Sequence, residues 1–419
     1  MAYSKKERMI AELMSFLPGL KPLAKRVYQS VNYFFNKPKS SFESTFQLHE
    51  LGAKSKESFF GYFDKSPLNS RGEYAIFQQT DHPTKLKPKA SKHIEVILFH
   101  FPTKKIIQKW ETTAYNWQQG AKPMWLDDSH FSFNFFDSGK QTYGAKIIDI
   151  NKTMIAKVSK TPLYDANAKT GLSLSFERLN EIMPDYGYRN LKPKSNFDYY
   201  KEGILKVDLE NCESELLISI AQIMDLHPQK SMENTTHWFN HIQLSPDSKN
   251  FIFLHRWIQK GKKYDALISS DIEGKNIKVL AADGMVSHCF WKNDQEIISF
   301  MRDEKRGDQY YLIDIQNFQR IPVGNEEWKR FGDGHPHTFK NRMLFDTYPN
   351  RSRMKELYLY NFNTLELNKL GAFLEPLKYH DETRCDLHPR FSKDGKKVFF
   401  DSVHTGKRRL FYIDLEEAQ

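Results

Sequence analysis

Cysteine is scarce in this sequence. Three residues (Cys212, Cys289 and Cys385) in a chain of 419 are too few and too scattered for a disulfide framework, which points to a reducing compartment. Long apolar runs are lacking: none approaches the ~18 residues that a spanning helix needs. The N-terminus carries no basic-then-apolar leader with a small-residue cleavage site, so the expected location is the cytoplasm. No Walker or dinucleotide fingerprint is present. The glycines of "GNEEW" and "GDGHPH" do not sit between a strand and a helix, which argues against a nucleotide cofactor.

Acidic residues are in the minority, 52 against 62 lysines and arginines, for a net charge of +10. The excess is uneven. Residues 1–40 hold Lys5, Lys6, Arg8, Lys21, Lys25, Arg26, Lys37 and Lys39 against Glu7 and Glu12. The remainder is only mildly basic, so no nucleic-acid partner is expected.

That basic arm reads as two short amphipathic helices. Ser4 to Glu7 forms a capping box ahead of an apolar stripe at Met9, Ile10, Leu13, Met14 and Leu17. A second helix is expected from Pro22, with its stripe at Leu23, Val27, Tyr28, Val31, Phe34 and Phe35. Such an arm either lies on a membrane surface, here the inner one, or docks on the main domain. The expected division is 1–40 for the arm and 41–419 for one large domain.

From residue 59 onward helical periodicity gives way to a repeated pattern of short strands and polar turns. "HIQLSPDSKNFIFLHRW", "HCFWKNDQEIISFMRD", "HPHTFKNRMLFDTYPN" and "HPRFSKDGKKVFFDSV" are the clearest copies, and three weaker ones precede them. Seven units of four strands at a period near ~40–50 residues predict an all-β, seven-bladed β-propeller with a short N-terminal α-helical arm. The last copy shows three strands, and residues 42–51 are expected to supply its fourth and close the ring.

Aligned on the turn, the copies place one residue each at the start of the innermost strand: Tyr62, Lys122, Tyr164, His241, His288, His335 and His388. Innermost strands line the central channel, so this register predicts a ring of polar side chains at its mouth. No structural repeat needs four histidines there. Imidazoles converging on one axis suit zinc or manganese, and Cys385, three residues before His388, is placed for a C-x-x-H chelate. Cys289 is expected to face the blade packing instead. A second register carries Arg178, Arg256 and Arg302, fork-shaped donors suited to a carboxylate, sulfate or phosphate. Asp346 and Asp401 fall on the opposite side.

These residue types suit β-elimination at a uronate. The carboxylate must be neutralised, a base must take the C5 proton, and an acid must protonate the leaving oxygen at C4. Arg178 or the metal is the candidate for the first task, His241 or Lys122 for the second, and Tyr164 for the third, or for both the second and the third on one face. Arg256 and Arg302 would bind substrate alongside Lys122.

The stretches "SFFGYFDKSP", "NWQQGAKPMWL", "DGMVSHCFW", "DGHPH" and "RCDLHPRFSKDGKKVFFDS" resemble the seven-bladed propellers related to oligogalacturonate lyase and ulvan lyase, over residues 55–415. The chain also resembles a branch of these propellers encoded with bacterial surface-polysaccharide genes. The resemblance implies a divalent metal, an anionic oligo- or polysaccharide substrate and lyase activity. It matches His288 and the His335–His337 pair to the metal-binding histidines of oligogalacturonate lyases. Gly332 stands where those enzymes carry a glutamine ligand, which leaves Cys385 or His388 to complete the set. Tyr164 and Arg178 are similar in blade and spacing to a tyrosine and an arginine of the ulvan lyases. The histidines which those enzymes carry on blade 2 have no counterpart, and Gln119 and Lys122 occupy the neighbourhood. A C5-epimerase shares the first half of the chemistry, and a scaffold for polysaccharide-assembling enzymes would need only the arm and the propeller.

Overall fold

A computed structural model describes residues 21–192 and 197–417. Seven antiparallel sheets follow one another along the chain and form a seven-bladed propeller. Blades 1 to 5 are four-stranded and span residues 57–112, 124–159, 165–219, 236–281 and 286–322. Blade 6 covers 337–374 and gains a fifth strand, Phe42–Glu43, on its outer edge. Blade 7 is built from Arg390–Phe391, Lys397–Ser402 and Arg409–Asp414, with His49–Leu51 as its outermost strand.

The closure expected of residues 42–51 is thus divided between two blades. Its second half pairs His49, Glu50 and Leu51 with Tyr412, Phe411 and Leu410. Blade 1 is fastened to blade 7 by further bonds, from the Ser58 amide to the Arg408 carbonyl (3.0 Å) and from the Phe60 and Gly61 amides to the Asp401 carboxylate (3.0 Å each).

Burial explains the sequence pattern of the strands. A middle strand is covered on both faces by neighbouring blades, so it reads as a continuous apolar run: Phe251, Ile252, Phe253 and Leu254 are all buried. An outer strand such as Lys105–Thr112 is exposed over most of its length and carries charge. The tight turns use left-handed backbone where the chain demands it. Gly395 has φ +73°, its amide bonds the Ser392 carbonyl, and a Cβ there would collide with the Phe339 ring.

Helices do occur beyond residue 59, contrary to the sequence reading. Phe176–Ile182 is helical, capped by Ser175, whose hydroxyl accepts from the Arg178 amide. Ile220–Leu226 is a second, capped by Ser219. In the arm, the helix Lys21–Phe35 forms as expected. The first expected helix lies outside the described residues. No helix among the described residues is long and apolar enough to cross a membrane.

Candidate functional site

The inner strands bring the seven aligned positions together, and all seven side chains are buried. Their rings form a continuous chain of contacts. His241 and His288 have centroids 6.0 Å apart, His288 and His335 4.0 Å, and His335 and His388 4.3 Å. Tyr62 closes the circuit, 5.0 Å from His388 and stacked on His241 at 5.3 Å. The Tyr62 hydroxyl lies 2.9 Å from His241 Nδ1. Lys122 places its ammonium 4.5 Å from the Tyr164 ring and bonds Asp64 at 3.2 Å.

The backbone is unusual at this register. Lys122, His241 and His388 have φ of +52°, +54° and +46°. Left-handed conformations cost a non-glycine residue on the order of 1–2 kcal/mol, and they recur here at the same place in three blades. In blade 4 the register between the first two strands shifts between Asn240 and Gln243, so His241 sits on a β-bulge that turns its ring toward the axis. Before His335 the chain approaches blade 6 so closely that a Cβ on Gly334 would meet the Asp346 carbonyl.

Carboxylates and carbonyls fix the imidazoles. His335 Nδ1 lies 2.8 Å from Asp346 Oδ1, and its amide donates to the same oxygen at 2.8 Å. Asp346 Oδ2 accepts from the His388 amide at 3.1 Å. His288 Nδ1 is 3.1 Å from Asp333 Oδ1, and His388 Nδ1 is 2.7 Å from the Gly61 carbonyl. Three histidines are therefore held through Nδ1, the arrangement that leaves Nε2 to a metal. Nε2 of His388, a residue only 2% exposed, is buried without a hydrogen-bond partner.

His335, Asp386 and His388 offer ligand atoms that lie within 4.8 Å of one another. The donor set, two imidazoles and a carboxylate, fits zinc or manganese. The unpartnered Nε2 of His388 fits such an ion as well. Asp386 is kept ionised: burial opposes its charge, but Lys355 (2.7 Å) and Arg384 (2.8 Å) outweigh that and hold its pKa far below the usual carboxylate range. Burial also opposes a charge on His335, yet Asp346 prevails and raises its pKa. Burial, reinforced by His335, pushes His388 well down, and burial pushes His241 well down with help from Arg256.

The structure corrects several expected roles. Cys385 is not in the metal group. Its thiol packs with Tyr379 and Val403, and burial pushes it up to about 12. The neighbouring Asp386 lies in the group instead. His288 adjoins His335 but falls outside the 4.8 Å group, although its Nδ1 is fixed in the same way. His337 lies away from the group, against Phe290 at 4.2 Å and with the Phe391 amide on its Nδ1.

Arg178 sits on a helix, not on a strand end. It donates to the His237 carbonyl, stacks on Phe197 at 3.8 Å and lies 3.5 Å from Glu202, so it belongs to the packing of blade 3 on blade 4. Arg302 is exposed and bound in a fork to Asp308 at 2.8 and 2.9 Å. Of the three arginines only Arg256 acts on the ring. It is buried, 3.3 Å from Asp265, and its charge adds to the burial that lowers the pKa of His241 and, with His335, that of His288. Asp346 and Asp401 serve as buttresses for the ring backbone and not as an acidic wall. Cys289 faces the blade interior, 3.1 Å from Ser299, as expected.

Tyr164 accepts from Gln119 Nε2 (2.9 Å) and from the His241 amide (3.0 Å), leaving its own proton free to be donated. Above the ring, Tyr186 stands edge-on to Tyr62 and His241, at 6.0 and 5.2 Å. It belongs to a segment following the helix Phe176–Ile182 that is tied across the mouth to blade 7. Asp185 pairs with Arg384, and Arg189 with Glu382. The ring is thus covered.

No family model matches the chain, and no curated protein does. Solved structures do match. The oligogalacturonate lyase of Vibrio parahaemolyticus aligns with 90% of this chain and 98% of its own, at a TM-score of 0.53 and 14% identity. The β-propeller domain of the trilobed protease from Pyrococcus furiosus aligns with 87% of this chain and 95% of its own, at 0.49 and 11%. The likeness to the lyase is one of fold. It agrees with the seven-bladed architecture and with the resemblance drawn from the repeats.

Proposed function

We propose that the ring is a metal-assisted site for β-elimination on a uronate-containing, anionic saccharide. The observation that carries this reading is His388 Nε2, a buried nitrogen without a partner, next to His335 and Asp386. A divalent zinc or manganese ion held by His335, Asp386 and His388 would neutralise a substrate carboxylate and acidify its α-proton.

This chain's own residues divide the rest of the work. Arg256 and Lys122 replace Arg178 and Arg302 as the cations near the ring, and they orient the anionic sugar. The Tyr62–His241 pair is the proton-accepting unit. Burial and Arg256 disfavour the charged form of His241, and the negative charge of a sugar bound beside it would offset both as the imidazole takes the C5 proton. Tyr164 hands its proton to the leaving C4 oxygen. Gln119 and the His241 amide stabilise the phenolate that forms.

Purified protein incubated with uronate oligosaccharides and zinc or manganese should produce an unsaturated uronate, read by its ultraviolet absorbance. Tyr164→Phe should lose that product while keeping its metal. Product from Tyr164→Phe at the normal rate would exclude the role given to Tyr164. Complete burial of the ring beneath Tyr186 favours a second reading, a non-catalytic propeller whose metal stiffens the channel mouth. Normal metal content with no product from any uronate would select it.

A further inference from the structure

The helix Lys21–Phe35 is turned the wrong way for a helix docked on a protein. Val27, Val31 and Phe34 fall at i, i+4 and i+7 and form one stripe. All three are exposed, and Phe34 and Phe35 are exposed to 78% and 77%. Gln29, Asn32 and Tyr33 are half-buried instead. No residue from Ala24 to Phe35 is fully buried. An amphipathic helix normally covers its apolar stripe, so this one awaits an apolar medium.

Charge identifies that medium. Lys21, Lys25, Arg26, Lys37 and Lys39 lie on or beside the helix, and no acidic residue occurs from 21 to 42. A basic helix with phenylalanine on its other face matches an anionic bilayer surface, into which rings sink while lysines and arginines meet phosphates.

The position of the helix adds an orientation. It leads through Ser41, whose carbonyl accepts from the Leu374 amide, to the strand Phe42–Glu43 on blade 6. Lys25 and Arg26 act on the Asp381 carboxylate, whose pKa is lowered chiefly by its hydrogen bond to His380 and further by these two cations. Asp381 opens the turn Asp381–Thr383, and the same connection holds Glu382, Arg384, Asp386 and His388. The helix therefore stands on the face of the propeller that carries the ring and its cover.

We infer that the exposed face of the helix Lys21–Phe35 docks on an anionic lipid bilayer and holds the mouth of the propeller toward that surface. A substrate carried on a lipid would then meet the ring without leaving the membrane plane.

The test is co-sedimentation of the full chain with vesicles of phosphatidylcholine alone or mixed with phosphatidylglycerol. The wild type should pellet with the anionic vesicles only, and less so as salt rises. Lys37→Gln with Lys39→Gln should weaken binding by about thirtyfold, the effect of removing two basic residues at an anionic surface. Phe34→Asp with Phe35→Asp should abolish it without changing the thermal unfolding midpoint. Phe34→Trp should be quenched by brominated lipid. Wild-type protein that stays in the supernatant with anionic vesicles overturns the inference, as do variants that bind like the wild type. A dimer in solution that Phe34→Asp dissociates, with no vesicle binding, overturns it too and assigns the face to a second copy of the chain.

Discussion

Asp346 is the residue on which the proposed centre turns, and Asp346→Asn tests this with little change of shape. The carboxylate accepts from the His335 amide and from His335 Nδ1 at 2.8 Å each, and from the His388 amide at 3.1 Å. An asparagine has one oxygen where the native residue has two. Its NH2 group must face an N–H donor, either that of His388 or those of His335. Each bond to a charged acceptor contributes about 1.5–3 kcal/mol, and a buried donor left unpaired costs about 1–3 kcal/mol. The variant should therefore lose about 2–4 kcal/mol of stability by urea unfolding. It should also lose ten- to a hundredfold in zinc or manganese affinity, the usual effect of removing a carboxylate behind a ligating histidine. Titration calorimetry against a competing chelator reads the second quantity. Wild-type affinity in a folded Asp346→Asn would refute the claim that this carboxylate orients two metal ligands.

Other consequences are open to direct measurement. Asp386→Asn should lose bound metal while Cys385→Ala keeps it, as read by elemental analysis; the reverse would restore the C-x-x-H chelate. His241→Gly should be more stable than His241→Ala by about 1 kcal/mol in urea unfolding, because only glycine relieves φ +54°. Arg384→Ala with Arg189→Ala should release the cover and speed the modification of ring histidines by a carbethoxylating reagent. Glu95 sets an acid limit on stability. Burial opposes its charge, but Lys109, Lys56 and Gln79 prevail and lower its pKa to about 2. Its contribution, about 3 kcal/mol, is complete above the unfolded carboxylate value and is lost as pH falls from about 4.5 toward 2. Glu95→Gln should flatten unfolding stability across that range.

The blades were legible because a propeller repeats. Each copy pairs an apolar middle strand with a polar turn, so His241, His288, His335 and His388 fell into register from spacing alone. Their contacts were legible only as far as strand alternation reaches. Cys385 and Asp386 lie in an irregular connection, where no period tells which of two neighbours faces the axis. The short spacing of Asp386 and His388 was the available signal. Arg178 was misplaced because "SFERL" resembles the strand ends that carry Arg256 and Arg302. Ser175 followed by Glu177, a helix cap with an acidic first turn, marked it as helical. Arg302 shares its register with Arg256, and each faces an aspartate on the adjoining strand, but the Arg302–Asp308 pair is exposed where the Arg256–Asp265 pair is buried. The cover is a tertiary event. Nothing in the local sequence of Asp185 or Arg189 names partners about two hundred residues away.

The central claim is that His335 and His388 hold a divalent ion at the mouth of the propeller. Elemental analysis of purified wild type beside a His335→Ala, His388→Ala double variant tests it most directly. About one zinc or manganese per chain, absent from a folded double variant, is the predicted result. Metal-free wild type after exposure to both ions, or equal metal in both proteins, would contradict it.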